Sequence, residues 1–361
     1  MRNNKILIIN GSMPHRQPHV SIYLRLLEKA QVPYDIICWN RKGDKLDSIE
    51  DNYVVYNHPT NDDFPAWKKL FECRRFASFV KSNVDKDKYF GVIVFTIATA
   101  LFSYRFITQK FKDKYVFDIR DWSPLMNVSV IKTIVSKLIR DSYCTCISSE
   151  GFKHWLPKDY LYVVSHNIDQ NKLQLYVNAS LLPFDNIHLL TIGNLRDGVS
   201  NSEVISAFGN DRKFVMDFVG DGDAAPFLKS YCIQHNINNV FFHGYYRKDE
   251  EDSFIKKCDL MNVYLPNNML SNYLMTNRFY LSVVFRKPMI VNEGCFQAEM
   301  VSKYHLGLVV QRDKNMKEQL VNYINSFDSK KYEMGCVDFL KMVCEQVNYF
   351  NEKILDFITA K

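Results

Sequence analysis

The sequence predicts an α/β chain of two Rossmann-like domains, each a parallel sheet with crossover helices. Three observations carry that expectation. At 361 residues and 47% hydrophobic, the chain is long for one core and natural for two. Between Lys213 and Pro266, short β-rich runs alternate with amphipathic stretches of helical length, the signature of a parallel sheet. The strand-like runs at Phe214–Gly220 and Val240–Gly244 end in glycine, and ligands of such sheets bind at the carboxyl ends of the strands.

Within that stretch FVMDFVG, VFFHG and LMNVYLP read as three buried strands. A helix from about Ala225 to His235 and another opened by the acidic Asp249-Glu250-Glu251-Asp252 separate them. Functional groups are therefore expected just after Gly220, Gly244 and Pro266.

Composition narrows the class further. Aromatic residues at 14%, with only 13 Gly and 11 Pro, describe a packed globular chain. A net charge of +6 is too mild to argue for nucleic acid and suits phosphate or an anionic lipid surface. The nine cysteines include no C-x-x-C pair and no histidine-rich cluster with metal spacing, so reduced, mostly buried thiols in a cytoplasmic protein are expected, with no metal site. MRNNKILIING opens directly into a strand, and no apolar run reaches the length of a bilayer span, so neither leader nor anchor is expected.

In chain order, Lys5–Gly11 is a strand ending at Gly11, where the backbone could approach a ligand closely. The loop that follows carries His15, Arg16 and His19. A helix from about Val20 to Ala30 and a strand over Pro33–Arg41 complete a Rossmann-like opening that lacks G-x-G-x-x-G, which disfavours a nicotinamide dehydrogenase. Tyr53–His58 and Tyr89–Thr96 read as strands, Trp67–Lys81 and Ala98–Phe111 as helices. The cations Lys68, Lys69, Arg74, Arg75, Lys81, Lys132, Lys137 and Arg140 decorate helices of this half, either as a membrane-facing surface or as ordinary solvated faces. YVFDIRDWSP places Asp118 in a strand and Arg120-Asp121 at its mouth, as a loop-shaping ion pair or a binding pair. Ser149, Glu150 and Gly151 stand at a helix start, a cap first and a phosphate or acceptor contact second. Gln170–Asn186 reads as a linker, so the domains are expected at 1–169 and 187–334, with a terminal helix over 335–361.

Several phrases, in order over almost the whole chain, resemble GT-B glycosyltransferases of the family 4 type: VGDG followed by a helix, NNVFFHGYYRKDE, CDLMNVYLP, YVFDIRDWSP, CTCISSEGFKHWLP and MTNRFYLSVVFRKPMIVNEG. The resemblance implies two domains facing each other across a cleft, with the C-terminal helix crossing back to the first. It implies transfer of a sugar, with retention, from a nucleotide-diphosphate sugar to a glycan or lipid-linked glycan acceptor. No further cofactor or metal is implied. The implied setting is bacterial surface-polysaccharide synthesis, in the cytoplasm or at the inner membrane surface.

Matched residue by residue, the donor side would comprise Gly193, Arg196, Gly220, Asp221, Gly222, Gly244, Tyr245, Arg247, Asn277, Arg278 and Glu293. Neutral turns or solvated loops are the alternative for the Gly220 and Gly244 groups. The acceptor side would comprise Gly11, His15, His19, Arg120, Asp121, Ser149 and Glu150, and the catalytic groups Asp121, Arg196 and Arg278. Several positions depart from the family pattern, and the Lys-Gly usual after Arg196 reads Asp197-Gly198, which removes one phosphate cation. The ribose-holding acid falls on Leu281, the usual glycine on Arg286, and a first glutamate on Tyr273; Glu293 or Glu299 would have to hold the ribose. These departures keep two rivals open, an inactive GT-B partner subunit and a non-hydrolysing nucleotide-sugar epimerase.

Overall fold

The computed structural model describes residues 5–46, 50–61, 63–174 and 186–360. The chain divides into two compact units, one running to His166 and resuming at Gln346, the other Asn167–Glu345. Most of the expected linker, 175–185, lies outside the described residues.

The first unit holds β1 (Lys5–Asn10), α1 (Val20–Lys29), β2 (Tyr34–Asn40), β3 (Tyr53–Asn57), α2 (Ala66–Asn83), β4 (Tyr89–Phe95), α3 (Ile97–Phe102), α4 (Tyr104–Lys110), β5 (Tyr115–Ile119), α5 (Ser129–Arg140), β6 (Cys144–Ile147) and β7 (Tyr162–Val164). Its sheet is parallel in the order β3-β2-β1-β4-β5-β6-β7, so the strand order reverses between β1 and β4. Period-two alternation sorts the side chains. Ile6, Ile8, Ile36, Cys38, Ile93 and Phe95 pack with α1, while Trp39, from the opposite face, stacks on Phe76 of α2 at 5.4 Å. The aromatic helix expected over Ala98–Phe111 is two helices, because the chain turns at the buried Ser103, which ends one and caps the next.

The second unit holds β8 (Ile187–Ile192), α6 (Gly198–Phe208), β9 (Phe214–Val219), α7 (Ala225–Gln234), β10 (Val240–Gly244), α8 (Glu251–Lys257), β11 (Leu260–Asn262), α9 (Asn277–Val284), β12 (Met289–Asn292), α10 (Phe296–Tyr304), β13 (Gly307–Val310) and α11 (Met316–Asn325). Its parallel sheet has the order β10-β9-β8-β11-β12-β13, reversing between β8 and β11. Two expectations need correction here. β10 is an edge strand, and Phe241 stays half-exposed, because only β9 pairs with it. β11 ends at Asn262, four residues before Pro266, because the Asn262 side chain accepts the Tyr264 N–H at 3.0 Å and turns the chain out of the ladder.

One helix, α12 (Ser329–Thr359), closes the chain, beginning before the 335 expected. Tyr332 and Cys336 extend its buried stripe toward the N-terminus. Gly335 belongs inside it because a Cβ there would stand 1.6 Å from the Tyr304 carbonyl oxygen. Phe339 packs on Phe279, Tyr280 and Tyr304 of the second unit, and Phe350, Ile354, Phe357 and Ile358 join the core of the first. All nine cysteines are free thiols, seven of them buried. No helix among the described residues is long and apolar enough to cross a membrane.

Candidate nucleotide-sugar site

In an open parallel sheet, the crevice at the strand-order reversal is where ligands bind. In the second unit that point lies between Gly193, after β8, and Asn262, at the end of β11. Gly193, Gly220 and Gly244 follow or end three neighbouring strands and adopt φ values of +109°, +127° and +72°, which L side chains rarely take. Gly220 is required by packing, since a Cβ there would lie 1.9 Å from the Gly193 carbonyl oxygen. A Cβ on Gly193 or Gly244 would meet nothing within 4 Å, so both look onto open space.

The hydrogen bonds refine what these glycines offer. The Gly193 N–H donates to Val219 O at 2.9 Å and the Gly220 N–H to Gly244 O at 2.8 Å. Asp221 accepts the Leu195 N–H through its backbone carbonyl at 3.0 Å, and its carboxylate accepts the Gly222 N–H at 2.9 Å. The loops after β8, β9 and β10 are thus locked to one another, and what the glycines supply is room for close approach.

Arg278 stands at the second position of α9, whose N-cap Thr276 accepts the Phe279 N–H and is itself held by Gln297, at 2.8 Å from hydroxyl to amide oxygen. The Arg278 guanidinium donates to the Asn262 carbonyl at 2.9 Å, which places it at the strand-order reversal. Burial pulls its pKa down to about 10, while nearby Asp197 and Tyr246 favour its charge. A guanidinium offers five N–H donors, and this one makes a single hydrogen bond among the described residues. A half-buried cation with donors to spare, at a helix N-terminus, suits a phosphate.

Sequence reasoning missed the scaffold beneath it. The buried Asn262 donates to Thr191 Oγ1 at 2.9 Å and to Asn201 Oδ1 at 3.1 Å, and Asn201 donates to the Asp197 carbonyl at 2.5 Å. This network ties β8, α6 and β11 to the carbonyl that Arg278 uses. Its only trace in the sequence is a polar Asn inside the apolar run LMNVYLP.

The other donor-side residues divide. Arg196 and Tyr245 are exposed, and Asn277 opens α9. Arg247 is tied to Asp249 at 3.1 Å and to Glu250 on its own loop. Glu293 lies after β12, where Oε1 accepts the Arg312 N–H at 2.9 Å. Leu281 is buried in apolar surroundings, so α9 brings no carboxylate to a ribose there. Arg286 takes φ +55°, the conformation that explains a glycine at this position; its side chain is held by Glu333 at 2.9 Å and the Val283 carbonyl at 2.7 Å.

On the first unit, the proposed acceptor residues are largely engaged within the fold. A Cβ on Gly11 would meet Thr99 Oγ1 at 2.7 Å, so packing, and not ligand approach, accounts for that glycine. His15 lies 3.1 Å from Asp44, which also pairs with Arg16. Arg120 is not at the strand mouth. It turns inward to Asp118 at 2.5 Å and to the Ser165 hydroxyl and carbonyl at 2.8 and 3.1 Å, and Tyr23 donates to the same Asp118 oxygen. Burial pushes the Asp118 carboxyl up, against the opposing pull of Arg120. Burial, with Arg120 nearby, holds His19 neutral with a pKa of about 2, and its Nε2 has no hydrogen-bond partner among the described residues. Ser149 is buried and caps the short 3-10 turn Glu150–His154 by accepting the Gly151 N–H, and Glu150 pairs with Lys153 at 2.9 Å. Asp121 is exposed just beyond Arg120.

One residue at the first unit's own strand-order reversal was not singled out from the sequence. Thr96, directly after β4, has φ +68° and ψ 149°, a region that is nearly glycine-only. Among the described residues no group of three His, Cys, Asp or Glu could hold a metal ion.

Two parallel sheets of this kind fit the GT-B fold, and comparison with known structures agrees. The sequence matches no family model and none of the curated proteins. Solved structures match over almost the whole length. A sucrose-phosphate synthase from Thermosynechococcus elongatus superimposes with a TM-score of 0.69 at 13% identity, covering 98% of this chain and 96% of that one. Anabaena HepE, in complex with UDP and glucose, gives 0.64 at 14% identity, with 99% and 100% covered. WaaG, a glycosyltransferase involved in lipopolysaccharide biosynthesis, gives 0.62 at 12%, with the same coverage. The chain therefore has the GT-B fold of glycosyltransferases, several of them solved with UDP or a UDP-sugar.

Proposed function

We propose that the chain is a retaining glycosyltransferase of the family 4 type that moves a sugar from a nucleotide-diphosphate sugar to a hydroxyl of a glycan carried on lipid, in bacterial surface-polysaccharide synthesis on the cytoplasmic side of the membrane. The single observation that carries the reading is Arg278, a half-buried guanidinium with one carbonyl partner among the described residues, at the strand-order reversal of the second unit, where Gly193 and Gly244 leave open space. In this reading Arg278, Arg196 and the N-terminus of α9 stabilise the charge that develops on the leaving diphosphate, and no metal is called for. The base lies by the Gly244-Tyr245 loop. Glu293 is the carboxylate assigned to the ribose that Leu281 does not supply. Asp121 and His19, at the carboxyl end of the first sheet, are assigned to the acceptor. The inactive-partner and epimerase readings gain nothing from the solved neighbours and are set aside.

Thermal unfolding against UDP, GDP, ADP, CMP and their sugar conjugates tests the donor site. One nucleotide should raise the melting temperature, in proportion to about RT ln(1 + [L]/Kd). Arg278→Ala should weaken that nucleotide roughly tenfold or more, since a hydrogen bond from a charged group contributes about 1.5–3 kcal/mol. No shift with any ligand at millimolar concentration would overturn the assignment.

A further inference from the structure

α2 turns an unusual face to solvent. Its inward side is fully used: Phe76 and Val80 are buried, Phe76 stacks on Trp39, and the buried Glu72 pairs with His58 at 2.8 Å and with Arg75, which reaches back from the outward side, at 3.5 Å. Its outward side begins with Trp67, Leu70 and Phe71, exposed by 70%, 40% and 56%, and continues with Arg74, Arg75 and Lys81. Lys68 lies over the Phe64 ring at 3.5 Å, and Lys69 is exposed. The helix's one carboxylate, Glu72, is the inward-facing one, and the exposed Asp63 precedes the helix.

A second segment repeats the pattern. α3 packs against both α2 and α5. At the start of α5, Val128 and Val130 are exposed, and the exposed Lys132 follows. Both α2 and α5 follow the carboxyl ends of strands, β3 and β5, of one parallel sheet, so the two apolar sets share an end of that sheet.

We propose that the outward face of α2, extended by the start of α5, docks on a bilayer that carries anionic headgroups. Trp, Phe and Leu interleaved with Lys and Arg on one helix is the composition that partitions into a headgroup layer, where the rings and aliphatic chains enter and the cations meet phosphate. Charge selects the occupant. A second copy would bring the same cations against these, whereas an anionic surface complements them. The proposal goes beyond the donor-site reading and does not depend on it, since the residues belong to the other unit.

Co-sedimentation with vesicles tests it. The chain should bind vesicles of phosphatidylcholine with phosphatidylglycerol at least about tenfold better than phosphatidylcholine alone, given that each basic group near such a surface contributes about 1 kcal/mol. About 1 M salt should remove most of that preference. Trp67→Ser with Phe71→Ser should lower binding to the anionic vesicles about tenfold or more, and Lys69→Glu with Arg74→Glu should abolish the preference for them. These residues are exposed, so circular dichroism and the nucleotide-induced melting shift should match the parent in both variants. Failure to sediment with either vesicle, or unchanged binding by both variants, overturns the proposal. A concentration-dependent dimer in sedimentation velocity without lipid, lost in the Trp67 variant, overturns it in favour of self-association. Loss of nucleotide response with vesicle binding intact would instead count against the donor site.

Discussion

The two sheets share an architecture and differ at their carboxyl ends. In the second unit, the strand-order reversal is lined by glycines that look onto open space and by a guanidinium with one partner among the described residues. In the first, the corresponding place is occupied from within: Thr99 fills the space a Cβ on Gly11 would need, and Arg120, Asp118, Tyr23 and Ser165 bond to one another. One sheet end leaves open space beside its glycines; the other is filled by side chains that bond to one another, with Asp118 Oδ1 and Arg120 Nε left without a hydrogen-bond partner among the described residues. The same residue type, an arginine near a strand mouth, therefore keeps donors to spare at Arg278 and is engaged within the fold at Arg120.

Removing Arg120 should give the largest effect. Arg120→Ala leaves the buried Asp118 without its cation, and breaking a buried pair in this way costs about 3–5 kcal/mol. Denaturant unfolding should show that loss, while nucleotide affinity of the folded fraction, measured by calorimetry, stays at the parent value. A nucleotide affinity that falls in step with stability would erase the proposed division of roles.

Next come the glycines, which separate packing from binding within one site. Gly220→Ala forces a Cβ against the Gly193 carbonyl at a φ of +127° and should destabilise by about 3–4 kcal/mol. Gly193→Ala has the backbone strain without the collision, about 1–3 kcal/mol. It should fold and still lose nucleotide binding, because the methyl group projects into the open space. Melting temperatures with and without nucleotide distinguish the two.

These contrasts also show what could be read in advance. The alternation of strand and helix and the glycines at strand ends were legible because each rests on local chemistry, period and turn residues, whereas Arg278 was singled out through the resemblance of MTNRFYLSVVFRKPMIVNEG to a family segment. Arg120 was ambiguous because its partner depends on rotamer and on Tyr23, 95 positions from Asp118 in sequence. β10 resembles its neighbours in composition, and only the pairing order makes it an edge strand. The Asn262 network was unreadable for a similar reason, since an asparagine in an apolar run gains its meaning from Thr191 and Asn201, which lie far away in sequence. The need for a glycine inside α12 was likewise unreadable, since it comes from the approach of the Tyr304 carbonyl.

Acid should act on the first unit through His166. It is buried, its Nε2 donates to Gln346 Oε1 at 2.7 Å, and burial lowers its pKa from 6.5 to about 4. Because the folded pKa lies below the unfolded one, the unfolded state binds the extra proton in between. Stability is therefore complete above about pH 6.5, falls as pH drops toward 4, and loses nothing further from this group below that. At about 1.36 kcal/mol per pH unit, the span from 6.5 to 4 corresponds to roughly 3 kcal/mol. His166→Gln should flatten the dependence between pH 6.5 and 4 in urea titrations. An unchanged slope would show that His166 is not the group responsible.

The smallest effect is the one that bears most directly on whether the first sheet end is purely structural. Thr96 holds a β-branched side chain at φ +68°, with its N–H donating to the Asp118 carbonyl at 2.8 Å and its hydroxyl beside Thr99 Oγ1 at 3.1 Å. Such a residue costs about 1–3 kcal/mol relative to one that takes the conformation freely. Glycine returns part of that gain through its greater freedom in the unfolded chain, about 0.5–1 kcal/mol. Thr96→Gly should accordingly stabilise the fold by about 1 kcal/mol, read as a higher urea midpoint at unchanged slope. If the variant is stabilised and nucleotide binding is unaffected but sugar transfer falls, the strain at Thr96 serves the acceptor side, and the first sheet end is a site after all. If it is stabilised with transfer intact, the threonine is an unrelieved packing compromise beside Thr99, and the contrast between the two sheet ends stands as drawn.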